Sequence, residues 1–216
     1  MLTSKNVTRG RPRGGTADKR QAILAGALTV FARDGYTRAS IDGIAGEAAV
    51  STRTIYNHFK DKAELFHSVI QTSTARIAEA HLDLIDRHLG KITDLEADLV
   101  AFGLAWTVAG TDSEHSALVR QINAEAGHLP AEAVTAWQEA GPLRVRRALG
   151  DRLAELGQLR VADPEQAALH YSLLISGANP SMPGAPRTDE EREAAVAAGV
   201  HAFLYGYSAR DEALAP

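Results

Sequence analysis

Apolar side chains recur along this chain at the spacing of amphipathic helices, in one segment after another. Ile23, Leu24, Ala27, Leu28 and Phe31 form the first such face, bracketed by Asp18 and by Arg33 with Asp34, and the helix is expected to end near Asp34-Gly35. Ser40 is placed to cap a second, short helix with Ile41, Ile44, Ala45 and Ala48 facing inward. Three residues later Ser51 can cap a third, in which only Ile55 and Phe59 face inward while Thr52, Arg53, Thr54, Tyr56, Asn57 and His58 point mostly elsewhere. From Lys62 a long pattern runs through Leu65, Phe66, Val69, Ile70, Ile77, Leu84, Ile85 and Leu89 to Gly90. At about 1.5 Å per residue that helix is on the order of 40 Å long. Further helices are expected over Asp94–Gly110, Glu114–Gly127, Ala131–Leu156, Pro164–Ser176 and Thr188–Ala209, with the Gly/Pro/Ser-rich piece Gly177–Arg187 as an irregular loop. The pattern predicts an all-α fold.

Composition agrees with that reading. Ala and Leu dominate, β-branched runs are scarce, and 216 residues allow one compact unit or a small head on a larger body. The absence of cysteine excludes a disulfide framework and thiolate chemistry, and fits the cytoplasm. Charge is divided unevenly. Residues 1–66 hold 11 Lys+Arg against 6 Asp+Glu, whereas residues 67–216 hold 12 against 21, which makes the head basic and the body acidic. A basic head points to a polyanion partner. The run QAILAGALTVFA after Arg20 is helical in pattern rather than a signal peptide, and no uncharged stretch reads as a membrane span.

Two short helices joined by a tight turn, the second poor in core residues and rich in hydrogen-bond donors, form a helix-turn-helix. An exposed polar face on so short a helix suits insertion of its N-terminal end among base edges in a major groove. Ahead of it, residues 1–15 carry four basic residues, three glycines, a proline and no acid, so a flexible arm is expected. Its Arg11 and Arg13 suit a narrow minor groove, or the arm is simply a solvated tail.

The run from Arg20 to Phe66 resembles the DNA-binding head of TetR/AcrR-type transcriptional regulators. The resemblance is carried by the Ile-Leu-x-x-Ala-x-x-x-Phe helix, Gly35-Tyr36, Ser40, Ile44-Ala45, Val50-Ser51, Thr54-Ile55-Tyr56, His58-Phe59, and Lys62 with Leu65-Phe66. One departure is Ala49, in the turn where the family commonly has glycine, and alanine tolerates a positive φ poorly. The resemblance implies base contacts from Thr52, Arg53, Thr54 and Asn57, with Arg53 able to fork onto a guanine edge or to take a phosphate. It implies phosphate contacts from Ser40, Tyr56, His58 and Lys62, which set register without reading sequence; His58 has a rival structural reading.

In the body, the segment holding Glu125, Pro130, Trp137, Gly141, Leu153, Gly157-Gln158-Leu159 and Asp163–Ala168 looks like the C-terminal domain of AcrR-like members. That implies a domain of residues 67–216 which senses a small-molecule ligand and forms a homodimer through the last two helices, following a head of residues 16–66. Large aromatics and occasional polar groups on apolar helix faces suit a pocket or a plain core. The candidate ligand set is Phe102, Trp106, Asn123, Trp137, His170 and Leu174. Arg144, Arg146, Arg147 and Arg152 could hold an anion or form a solvated, ion-paired face.

The expected protein is a homodimeric regulator, most simply a repressor released from a palindromic DNA operator by its ligand, with no cofactor and no membrane partner. A regulator without a small-molecule ligand is the alternative. Catalysis is disfavoured: there is no metal-spaced His/Glu set, His81 and His88 standing seven apart, and no phosphate loop or nucleophile elbow.

Overall fold

The computed structural model describes residues 15–109, 113–125, 127, 129, 131–176 and 188–207. Those residues form ten helices: α1 Thr16–Arg38, α2 Ile41–Glu47, α3 Thr52–Tyr56, α4 Lys62–Leu89, α5 Leu95–Ala109, α6 Ser113–Glu125, α7 Ala131–Ala140, α8 Pro142–Glu155, α9 Pro164–Ser176 and α10 Asp189–Tyr207. The fold is all-α, with a helix-turn-helix head followed by a larger helical body. Arg11, Arg13 and the Gly177–Arg187 segment lie outside the described residues.

Local signals set the element ends. Ser40 Oγ accepts the Gly43 N–H at 3.0 Å, Ser51 Oγ accepts the Thr54 N–H at 3.1 Å, and Asp61 Oδ1 accepts the Glu64 N–H at 2.9 Å, so each of the three short-spaced helix starts is capped. Regular helix in α1 stops at Gly35, whose φ of 77° an L side chain rarely adopts. Ala49, between α2 and α3, does adopt a positive φ, 52°. The turn is closed by the Ala49 and Val50 N–H groups on the Gly46 and Ala45 carbonyls, so the alanine is held in a conformation that glycine would take without strain.

The expected single helix over Ala131–Leu156 is two. Pro142 lacks the N–H that would continue the ladder and disfavours helical geometry in the residue before it, so Gly141 turns to φ −145°, ψ −74° and α8 starts afresh with proline at its first position. The break also lets the chain close onto α4: a Cβ on Gly141 would collide with Thr74.

Two hydrophobic cores result. The first joins α1, α2, α3 and the start of α4 through Ile23, Phe31, Ile44, Ile55, Phe59 and Phe66, and it recruits Leu118 and Ile122 of α6. The second joins the end of α4, with Leu84, Ile85 and Leu89, to α5, α8, α9 and α10 through Phe102, Leu149, Tyr171 and Phe203. Helix α4 belongs to both. Between its two apolar ends lie the buried polar residues Ser73, Thr74 and His81.

Replacing Ala49 with glycine should relieve the positive φ, offset in part by the greater freedom of glycine in the unfolded chain. The expected gain is about 0.5–1 kcal/mol in urea unfolding of Ala49→Gly, and an unchanged or lower midpoint would show that the turn is not strained.

Candidate functional site

Helix α3 and its flanks carry the first candidate surface. Ile55 and Phe59 are buried and anchor the helix, which turns Arg53, Tyr56 and Asn57 outward. Tyr56 is 56% exposed, a high value for a large ring and in keeping with a surface kept open for contact. Arg53 is exposed and has no ion-pair partner among the described residues. Thr52 and Thr54 are half-buried, and the Thr54 hydroxyl lies 2.8 Å from Ser51 Oγ. His58 is half-buried with its ring 6.4 Å from that of Phe59. Ser40 uses its oxygen as a cap acceptor, which leaves the hydroxyl hydrogen to donate.

Lys62, expected on a phosphate, is engaged within the head. Its ammonium donates to the carbonyls of Tyr36 at 2.9 Å and Ala39 at 3.0 Å and lies 4.6 Å from the Tyr36 ring centre. The cation is therefore engaged at the carbonyl end of α1, where it ties the start of α4 to the head.

The second candidate is a partly open cavity of about 320 Å³ in the body, lined by α4, α5, α6, the α7–α8 junction and α9. Trp106 and Trp137, the only tryptophans in the chain, both line it. Most of the remaining wall is apolar, from Ile77, Ala78, Val119, Val145 and Leu169. Polar groups among the described lining residues are few: Thr74 and His81 from α4, His115 from α6, Arg146 from α8 and Ser172 from α9.

Their states differ. His81 Nδ1 lies 2.8 Å from the Ile77 carbonyl, which can only accept, so Nδ1 carries the hydrogen. Burial pushes the His81 pKa below its ordinary value, against a smaller opposite effect of that hydrogen bond, and the ring stacks edge-on with Trp106 at 4.3 Å. His115 Nδ1 is 2.9 Å from Ser73 Oγ. Ser172 Oγ turns back to the Ala168 carbonyl at 2.8 Å, whereas Thr74 Oγ1 is buried with no hydrogen-bond partner among the described residues.

Of the six expected ligand residues, the cavity brings together Trp106 and Trp137. Phe102 is fully buried behind Trp106, their rings 5.4 Å apart, and it continues through Tyr171 and Phe203 as a column of ring contacts. His170 stands outside the cavity, exposed, with Nδ1 2.7 Å from the Tyr207 hydroxyl and Nε2 near Gln166. Asn123 is on the exposed side of α6, and Leu174 is 40% exposed on α9. Sequence reasoning missed Thr74 and His81. Their signal was positional: with Ile70 and Ile77 they form a stripe at i, i+4, i+7 and i+11 on one face of α4, so two polar residues sat in an inward row.

Helix α6 links the two candidates. His115 and Val119 face the cavity, while Leu118 and Ile122 enter the head core. Beyond them, Glu125 Oε2 accepts the Thr37 N–H and hydroxyl, each at 3.0 Å, just past the bend at Gly35. Gly35 has no side chain to keep that carboxylate away: a Cβ there would collide with Glu125.

Residues 23–69 match the sequence model of the bacterial regulatory proteins of the tetR family, and residues 97–209 match that of the C-terminal domain of AefR-like transcriptional repressors. The chain belongs to the TetR/AcrR family of transcriptional regulators. The HTH-type transcriptional regulator AcrR of Shigella flexneri is 39% identical over 66 residues, covering 31% of each chain. The DNA-binding transcriptional repressor TetR of Mycobacteroides abscessus is 40% identical over 62 residues, covering 29% of this chain and 33% of that protein. These matches span about a third of each relative's length and fall on one part of the chain. Among solved structures, a TetR-family regulator from Mesorhizobium loti MAFF303099 superposes with a TM-score of 0.79 at 26% identity, over 91% of this chain and 100% of that one. The flavonoid-responsive regulator FrrA does so with a TM-score of 0.67 at 25% identity, over 90% and 100%. Proteins of this family are DNA-binding regulators of transcription, typically repressors, and not enzymes. Among the described residues no helix is long and apolar enough to cross a membrane.

The depressed His81 pKa makes a stability prediction. Unfolded, His81 takes up a proton near pH 6.5, its ordinary value; folded, it does so only at lower pH. Between those limits the unfolded state holds more protons, so this contribution is present above about pH 6.5 and is lost as pH falls through the folded value. The advantage of wild type over His81→Gln in urea midpoint should therefore narrow between about pH 7 and about pH 5. A pH-independent difference would mean that His81 titrates normally.

Proposed function

We propose that this protein is a homodimeric repressor that binds a palindromic operator through α3 and is released when a small molecule occupies the body cavity. The observation that carries the reading is that one unbroken helix, α4, lines the cavity with Thr74, Ile77, Ala78 and His81 and supplies Leu65, Phe66, Val69 and Ile70 to the head core. The residues taken as reading bases are Thr52, Arg53, Thr54 and Asn57, with Ser40, Tyr56 and His58 on phosphates. Arg53 is the strongest single candidate, since a free guanidinium matches the O6/N7 edge of guanine. Residues 16–66 form the reading head, residues 67–216 the sensing and dimerising body, and the site of action is the cytoplasm, where the DNA lies.

Dimerisation through α9 and α10 is supported by exposed apolar residues on those helices. Leu173 is 61% and Tyr205 70% exposed, both high for side chains that gain by leaving water. Two heads on one dimer read two half-sites about 34–36 Å apart, and each multiplies the few contacts the other can make. An apolar cavity favours a ligand-responsive regulator over one that acts without a ligand. Release then requires only that the ligand bind one arrangement of α4 and α6 better than another, with couplings of about 1–3 kcal/mol typical.

Selection of bound fragments from the source genome, at low and high salt, tests the DNA reading directly. Phosphate contacts alone give salt-sensitive, sequence-blind retention, so enrichment of an inverted repeat at both salts is the expected result. Arg53→Ala should weaken binding to the enriched repeat by about 1–3 kcal/mol while leaving binding to unrelated DNA nearly unchanged. Equal losses on both DNAs would assign Arg53 to phosphate.

Coupling through α6 has its own test. Glu125→Ala removes the acceptor of the two Thr37 hydrogen bonds without touching either candidate site. It should leave ligand affinity of the free protein within about twofold and reduce the ligand's effect on operator affinity severalfold, within the usual range of coupling energies. An unaltered ligand effect would place the coupling in α4 alone.

A further inference from the structure

The α8 arginines are not equivalent. Arg144 pairs with Glu79 at 2.6 Å, Arg147 with Glu165 at 3.3 Å, and Arg152 with Glu155 at 3.1 Å and Asp86 at 3.9 Å. Arg146 has no carboxylate partner among the described residues, is half-buried, and lines the cavity. A guanidinium partly withdrawn from water is costly unless it meets an anion or retains solvent, and three neighbours on the same helix have met theirs.

Two further features of the wall agree in sign, and a third adds a polar group. Among the described residues lining the cavity there is no aspartate or glutamate to hold a cationic ligand or neutralise Arg146. Gly141 and Pro142, the start of the 14-residue α8, also line it, and no side chain caps that helix end, so its positive pole is directed at the same space. Thr74, 3% exposed and packed against Gly141, also lines it, its buried hydroxyl without a partner among the described residues. The remainder is apolar, dominated by two indoles, and the volume of about 320 Å³ is at the small end for ligand pockets.

We propose that the effector of this cavity is a compact amphipathic acid, with an apolar body lying between Trp106 and Trp137 and a single carboxylate held by Arg146 at the open end of α8. This rests on the reading of the cavity as the effector site and adds to it the chemical class of the effector. Arg146 fixes orientation, since one cation at one end of an apolar chamber admits the acid in one sense only. A neutral ligand of the same shape gains the apolar burial but leaves the guanidinium without its anion.

Because both tryptophans of the chain are in this wall, their fluorescence reports occupancy with no label. The full-length protein is titrated with phenylbutyrate, phenylbutanol and phenylbutylamine, exciting at the red edge of indole absorption where a phenyl ring is silent. Phenylbutyrate should bind about tenfold or more tightly than the alcohol, and the amine more weakly than either. Arg146→Met keeps the apolar stem of the side chain, so it should abolish the preference for the acid while leaving the affinity for the alcohol within about twofold. Arg147→Met, at a paired and exposed neighbour, should retain the preference. Equal affinity for acid and alcohol, tighter binding of the amine, or a preference that survives in Arg146→Met overturns the acid assignment and leaves the cavity as an effector site. Silence from all three probes overturns the assignment and the effector reading with it, while operator selection on the same preparation decides the DNA-binding reading separately. Should Arg146→Met fail to fold, the three probes on the wild type still decide the sign of the preferred charge.

Discussion

An unbroken hydrogen-bond ladder from Lys62 to Leu89 is the constraint on which the rest of the molecule depends. Sharp kinks in helices need proline, glycine, a bulge or an inserted group, and α4 contains neither proline nor glycine. A displacement imposed at Thr74 or His81 therefore meets no built-in hinge along the helix. One end of that helix is fixed in the second core by Leu84, Ile85 and Leu89, and the other carries the head through Leu65, Phe66 and Ile70. Lys62 makes the attachment stiff at its last point by bonding the carbonyl end of α1.

The opposite local choice, a forced break, produces the cavity. Had residues 131–155 continued as one helix, they would have run past α4; Gly141-Pro142 turns the chain so that α7 joins the head side and α8 the body side. The middle of α4 faces this junction with Thr74 and His81 in place of leucine or isoleucine. A close-packed interior leaves few voids larger than a water molecule, so a cavity of about 320 Å³ at this junction is a feature of the packing and not an ordinary gap. Trp106 is braced from behind by Phe102 and Tyr171, and Gly141 is already against Thr74.

Most of the head was legible in the sequence because its signals are local. Ser40, Ser51 and the inward spacing of Ile55 and Phe59 are statements about single turns of helix, and the helix-turn-helix follows from them. The strain at Ala49 was legible for the same reason. The direction taken by Lys62 was not, since a lysine at a helix start can reach outward to a phosphate or backward to carbonyls, and only the position of α1 decides. In the body, element existence was readable but side-chain facing was less so. Trp106 and Trp137 were singled out by size, whereas His170 and Leu174 sit on α9, a short helix with one side toward α10 and another toward solvent. The break at Gly141-Pro142 is written in the sequence, although one helix was expected over Ala131–Leu156.

The energetics of a regulator built this way turn on weak contacts around strong elements. Exposed pairs such as Arg33 with Asp34 contribute little, and the Glu125–Thr37 bonds are partly solvated. The head is thus oriented by several modest interactions on α4 and α6 rather than by one dominant one. An occupant of the cavity adds contacts to Ile77, Trp106, Val119 and Trp137, of which Ile77, Val119 and Trp137 are on helices that contribute to the head core. Because the cavity wall and the head core draw on the same helices, α4, α6 and α7, the proposed ligand would act on the head through them. A ligand need favour one arrangement by only about 1–3 kcal/mol to change operator occupancy severalfold, which is comparable to a few of the contacts that hold the head in place.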